Sequence, residues 1–319
     1  MAFFKLILST SVTNLKCAST RRFSQPMSTF FRPGSYIYDQ IIEPLSPSIV
    51  VIQSCFSDSL KIPGSRRTGV GVFLDSASIL TSAHLIGHVT SSYEPKILDK
   101  PDRFEHGSII HKAYLAPTVA HTVVARRPLE IKPVAVNFSS DVAVLKVVVP
   151  PPPDQEETSF PRHRSIANSP PNKDDLLMSI AYRGGIDHLT FVVTNVRSVG
   201  KKTFKVKAPW PLDNDSGWIE LDASKFNGGN PPPCSKMFNG GGSEVTVSMS
   251  RLNGCPWFNV RGEVVGVGSW EVRDHPSDPY AVFFGASLSS IKAAVEYANT
   301  KKPEDPIVMD GWIKGSNQF

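Results

Sequence analysis

A histidine stands where one strand-like run ends, and an aspartate stands where another begins. His84 follows the run Phe73 to Leu80 through Thr81-Ser82-Ala83, and Asp141 follows Ser139-Ser140 and opens the run Val142 to Val147. An imidazole beside a carboxylate is a general base with its orienter. The carboxylate accepts from one ring nitrogen, fixes the tautomer and stabilises the imidazolium. A base of this kind serves a nucleophile, and the place to look for one is the stretch Ser250-Arg251-Leu252-Asn253-Gly254-Cys255. It reads as a tight loop in front of a strand, turn and strand, Trp257 to Val267. Taken alone, the His and the Asp are weak signals, since a lone histidine is more often structural and a lone aspartate at a strand edge is usually a turn residue.

The elements that must hold these residues are short. Ser48 to Ile52, Gly69 to Leu74, Val142 to Val147 and Phe191 to Val193 are runs of Val, Ile, Leu and Phe broken by Gly, Pro, Asn and Ser. Many short strands with frequent turn signals predict an all-β sandwich or barrel. One helix is predicted over 289–300, capped by serines, with Ile291, Ala294, Val295 and Ala298 on one face. Pro150 to Pro153 followed by Asp154-Gln155-Glu156-Glu157 predicts a linker, because consecutive prolines cannot join a central strand. This gives an N-terminal segment 1–38, a first β-barrel over 45–149, a linker over 150–174, a second barrel over 175–288 and a tail over 301–319. Residues 211–248, with Pro231 to Pro233 and Gly240 to Gly242, read as an irregular insertion in the second barrel. No internal repeat appears.

Taken together, the motifs resemble a known family. Gly69-Val70-Gly71-Val72-Phe73 with Ile79-Leu80-Thr81-Ser82-Ala83-His84 resembles the histidine segment of trypsin-fold serine proteases, most closely the Deg/HtrA type. Asp141-Val142-Ala143-Val144-Leu145-Lys146-Val147 is similar to their aspartate strand, and Asn253-Gly254-Cys255-Pro256-Trp257-Phe258-Asn259 to their serine loop and the strand after it. Leu176 to Gly200 and Phe283 to Ala298 match further segments in order, so the resemblance covers about residues 48–300. It implies two antiparallel β-barrels with a C-terminal helix and a site in the cleft between the barrels. His84 would be the base and Asp141 its orienter.

The nucleophile does not carry over. Registration on Pro256-Trp257-Phe258-Asn259 puts Asn253 at the serine position and Arg251 at the oxyanion glycine. A second registration, through Ile219-Glu220-Leu221-Asp222-Ala223, puts Asn230 at the serine and Gly228 at the glycine; an insertion between two halves of one motif would reconcile the two. Either way the position holds Asn, whose amide nitrogen is delocalised and a poor nucleophile. Loss of the serine from such a site costs about a million-fold in turnover, and Arg in place of glycine disfavours the oxyanion-binding backbone. The expectation is a catalytically inactive protease homologue that binds peptides or a partner protein through the cleft. The alternative is an active serine- or cysteine-type endopeptidase using Cys255 or an insertion serine, Ser243 or Ser250. A third reading is a structural subunit of a larger organelle complex.

Ser269-Trp270 resembles the edge strand that pairs with substrate backbone in trypsin relatives, with Glu271 in place of a glycine. Such pairing needs no nucleophile. Ser269, Trp270 and Gly254 are thus the expected peptide-binding residues, Trp270 otherwise being core. Aromatics Phe30, Phe31, Tyr36 and Tyr38 suggest, through the resemblance, a homotrimer. With 19 residues after Thr300, the family's C-terminal PDZ domain is not expected.

Composition bounds the rest. The 319 residues are 40% hydrophobic and 20% charged, which is globular. The net charge of +5 lies in residues 1–38, where Lys5, Lys16, Arg21, Arg22 and Arg32 occur with no acid. Beyond them, 29 basic residues balance 29 acidic ones, which argues against a nucleic-acid face. An acid-free segment with Ser, Thr, Arg and the apolar Phe3, Phe4, Leu6, Ile7 and Leu8 is the composition of an organelle transit peptide, and Arg21-Arg22-Phe23-Ser24 resembles a mitochondrial processing site. Mitochondrion is the first expectation and chloroplast the alternative. No apolar run reaches the length of a membrane span. Cys17, Cys55, Cys234 and Cys255 form no CxxC pair and read as free thiols. The histidines other than His84, among them His111 and His163, show no ligand spacing and read as surface or loop residues. No metal and no cofactor is expected.

Overall fold

The computed structural model describes residues 43–56, 66–86, 109–115, 129–148, 162–182, 189–200, 218–222, 235–238, 244–249, 253–273, 282–307 and 309. The expected transit segment, the trimer aromatics, the proline run and Asn230, Arg251, Ser243 and Ser250 lie outside the described residues.

The first six strands are β1 (Ile49–Phe56), β2 (Arg66–Phe73), β3 (Ser78–Thr81), β4 (Ile109–Leu115), β5 (Leu129–Asn137) and β6 (Val142–Val147). They pair antiparallel in the order β1-β2-β3-β6-β5-β4, and β1 meets β4 to close a barrel. Alternation explains the closure. Val50 and Ile52 on β1, Ala113 on β4, Ile131 on β5 and Leu145 on β6 all point into one buried core with Phe73, and removing such side chains from water contributes about 2 kcal/mol each. A tight turn joins β2 to β3: the Asp75 carboxylate accepts from the backbone of Ala77 and Ser78, which sets the exit of β3 towards His84.

The second barrel comprises β7 (Leu176–Tyr182), β8 (Leu189–Gly200), β9 (Trp218–Asp222), β12 (Pro256–Phe258), β13 (Val264–Arg273) and β14 (Val282–Ala286). Pairings β12–β7, β7–β8, β8–β9, β9–β14, β14–β13 and β13–β12 form a closed antiparallel ring. A hairpin of β10 (Ser235–Phe238) and β11 (Glu244–Met249) is added outside that ring, on the far end of β13. Two closed antiparallel barrels, as the sequence predicts, therefore make up the fold. The expected irregular insertion over 211–248 is corrected: Trp218 to Asp222 is a strand of the second barrel, with Trp218, Ile219 and Leu221 buried.

Helical turns at Glu43–Leu45 and Ser46–Ser48 precede β1, and two further helices lie beyond it among the described residues. α1 (Ala83–Ile86) is a single buried turn after β3. α2 (Leu288–Thr300) starts at Ser287, whose hydroxyl accepts from Ser290 N; the serine cap falls two residues earlier than the sequence suggested. Leu288, Ile291 and Ala294 form its buried face. α2 follows the second barrel in sequence yet packs on β5 and β6 of the first as well as on β13. The segment after it continues the docking: Ile307 O accepts from Val136 N, and Met309 N donates to Val136 O. Part of the expected tail is thus a backbone partner of β5. Among the described residues no helix is long and apolar enough to cross a membrane.

Candidate functional site

His84 and Asp141 come from different strand ends of the first barrel and meet through the pairing of β3 with β6, in which Thr81 lies opposite Ala143. Asp141 leaves the turn after β5 with φ 55°, a left-handed conformation that a non-glycine residue seldom takes and that aspartate tolerates better than most. Its carboxylate thereby turns onto α1. Asp141 Oδ2 accepts from His84 Nδ1 at 2.7 Å, and Oδ1 accepts from the His84 backbone N–H at 2.9 Å. A third donor arrives from the second barrel: the Ser269 hydroxyl donates to Asp141 Oδ2. His84, Asp141 and Ser269 are all buried. Holding Nδ1 as the donor leaves Nε2 as the basic nitrogen of the neutral ring, the tautomer a general base requires.

Ser269 reaches Asp141 because β13 is irregular there. The register of β13 against β14 shifts between Gly268 and Trp270, so Ser269 is the extra residue of a bulge, and a bulge re-aims a side chain.

The loop before β12 is pinned between the two barrels. Val70 N on β2 donates to Asn253 O at 2.9 Å, Gly254 N donates to Gly268 O at 3.0 Å, and Gly268 N donates to Cys255 O at 2.7 Å. Gly254 has φ +70°, and a Cβ there would lie within 3.0 Å of Thr81 Oγ1, Val70 O and Leu85 Cδ1. Only glycine fits both the angle and the space. Gly69 similarly lets β2 approach, since a Cβ on it would overlap Leu85 and Asn253 O. Thr81 and Leu85 flank His84 in the chain, so the backbone of residues 253–254 packs against both flanks of the base. The structure brings together His84, Asp141, Asn253, Gly254 and Ser269 from the sequence reading.

Other expected roles fare differently. Cys255 is fully buried, with its Sγ 3.9 Å from Asn253 O. The edge that Ser269-Trp270 was expected to offer to substrate is covered by another strand of the chain in this structure. Trp270 pairs with Phe284 of β14 on one side and with Met249 of β11 on the other, so its backbone has no open edge. A reading of single segments cannot reveal this, because β11 comes from the stretch taken as irregular.

His111 is also corrected. It sits on β4 directly opposite Ser54 of β1, buried in the first barrel, and its Nδ1 is 2.8 Å from Ser54 Oγ. Burial lowers its pKa from 6.5 to about 4, so the ring is neutral in the folded chain at pH 7. The signal in the sequence was its period-two register with Ala113 and Leu115, which face the same core. His163, by contrast, is exposed. Among the described residues no three His, Cys, Asp or Glu side chains gather as a metal site.

No family model matches the sequence, and no curated protein matches it. Solved structures do match by fold. The active form of the Rv3671c protease from M. tuberculosis is similar over 86% of this chain and 90% of its own, with a TM-score of 0.53 and 17% identity. The HtrA-type protease AlgW, solved with a tripeptide, is similar over 81% of this chain and 61% of its own, at a TM-score of 0.45 and 11% identity. The likeness to the first and the two closed six-stranded barrels agree: this chain has the two-barrel fold of trypsin-like proteases.

Proposed function

We propose that the chain is a non-catalytic homologue of HtrA-type proteases that works by binding an extended peptide or a partner protein at its cleft, in an organelle. The observation that carries the reading is Asn253, the residue whose backbone is held against the flanks of His84 and whose side chain offers no hydroxyl or thiol. A base with a fixed tautomer but no acid to deprotonate performs no acyl transfer. The buried Cys255 thiol supports the same reading, because a cysteine nucleophile must reach both the imidazole and the substrate. The acid-free basic stretch 1–38 supports the organelle.

The test is cleavage of a denatured, fluorescently quenched protein substrate by the full chain, beside His84→Ala and Cys255→Ser. The expected result is no turnover that depends on His84. Turnover abolished by both changes would overturn the reading and make Cys255 the nucleophile. Turnover lost only with His84→Ala would overturn it in favour of a serine.

A further inference from the structure

β13 has two edges with different partners. One pairs with β14 from Val267 to Val272. The other pairs with β12 only from Val264 to Val267. Val267 has Pro256 on one side and Ala286 on the other, and Trp270 has Met249 on one side and Phe284 on the other. β11 therefore lies on the same edge as β12, further along. Without β11, the main chain from Trp270 to Arg273 would be an unpaired edge directly after the serine that touches Asp141. An exposed edge of this kind is a template for an added strand.

β11 fills it with an antiparallel register of Thr246, Val247, Ser248 and Met249 opposite Arg273, Val272, Glu271 and Trp270. Only three residues separate Met249 from Asn253 in the sequence. The β10–β11 hairpin has no part in closing either barrel, since the second ring closes through β12, β13 and β14. Losing the hairpin costs its pairing with β13 and leaves the ring intact.

We infer that β11 is a built-in stand-in for an extended peptide: it covers the Trp270–Arg273 edge of β13, and a peptide partner must displace it to bind there. This deepens the binding reading above and rests on it for the existence of a partner; the covering of the edge does not. A tethered strand competes at an effective concentration of about a millimolar. A free peptide that binds the bare edge with a Kd of about 10 μM would then bind the intact chain about 100-fold more weakly.

The test titrates a labelled synthetic peptide, Glu244 to Met249, into the full chain and into a full-length variant whose residues 235–249 are replaced by a Gly-Ser linker. The expected result is binding at least tenfold tighter to the variant. Equal affinity for both, or no binding by a variant that still melts cooperatively, would overturn the inference. Hydrogen exchange on Val247→Pro and Ser248→Pro gives a second reading if the linker variant fails to fold. Consecutive residues aim their N–H groups at opposite neighbours, so one of the two prolines removes a bond to β13. In that variant the Trp270–Arg273 segment is expected to exchange at least tenfold faster, with Val264 to Val267 unchanged. No acceleration in either variant would overturn the inference. Cleavage activity in the intact chain would refute the non-catalytic reading and leave these measurements standing.

Discussion

Gly254→Ala tests the argument that the loop beside His84 is wedged between the barrels. Three costs follow from the geometry. The residue sits at φ +70°, where an alanine Cβ is unfavourable by about 1 kcal/mol. The added methyl falls within 3.0 Å of Thr81 Oγ1, Val70 O and Leu85 Cδ1; two of these are held by the hydrogen bond from Thr81 Oγ1 to Val70 O, so neither yields cheaply. Overpacking of this kind costs about 1–3 kcal/mol. A shift that relieves it stretches the Val70–Asn253 bond, worth about 1 kcal/mol. The expected loss is therefore about 3–5 kcal/mol. Gly262→Ala is the control. Its φ is +74°, but its nearest neighbours are Leu45 Cδ2 at 3.4 Å and Arg164 Nη1 at 3.5 Å, ordinary contact distances. It should lose only the conformational cost, about 1 kcal/mol. Urea unfolding followed by tryptophan fluorescence measures both, since Trp218 and Trp257 are fully buried reporters. Equal losses for the two variants, with unchanged m-values, would refute the wedge and reduce Gly254 to a turn glycine.

Three further outcomes are expected. His111 has a folded pKa of about 4 against 6.5 unfolded, so its contribution is complete above pH 6.5 and is lost as pH falls towards 4. Urea unfolding should show about 2 kcal/mol less stability at pH 5 than at pH 7.5 from this residue, and His111→Gln should remove that part of the slope. Asp141→Ala strands three buried donors, the His84 backbone N–H, His84 Nδ1 and the Ser269 hydroxyl, and should cost about 3 kcal/mol or more in the same assay. Cys255 should resist a thiol reagent such as Ellman's in the native chain and react once unfolded, because the side chain is fully buried; fast native labelling would show that the thiol reaches the cleft.

The parts of the fold that the sequence displays are those whose signal is local. β3 and β6 are apolar runs that end and begin on His84 and Asp141, and the strand pairing alone brings these ends together. Gly254 was read only as a peptide-binding residue, and its φ of +70° emerges from the structure. The parts that stayed hidden depend on partners far along the chain. Trp218 to Asp222 lies close to prolines and glycines that read as loop, and only its pairing with β8 and β14 makes it a strand. β11 pairs with β13 across the loop and strand between them, and no periodicity in Glu244 to Met249 names that edge. The bulge that turns Ser269 towards Asp141 is a mismatch of two strands, which neither strand encodes by itself. His111 was misread for a simpler reason: a polar residue in an alternating strand was assigned by its type rather than by its parity with Ala113 and Leu115.

The docking of Ile307 and Met309 on Val136 bears on how the chain acquires its shape during synthesis. All six strands of the first barrel leave the ribosome before the second barrel begins, yet β5 and β6 take α2 and the residues after it as packing partners. An emerging first barrel would thus leave the β5 and β6 face that α2 packs on uncovered until residues 288–309 are made. Vectorial folding from the N-terminus is therefore incomplete by design of the topology. A nascent chain halted after β6 should be the more protease-sensitive species, and the two barrels should reach their full protection together, when residue 309 is free to fold back.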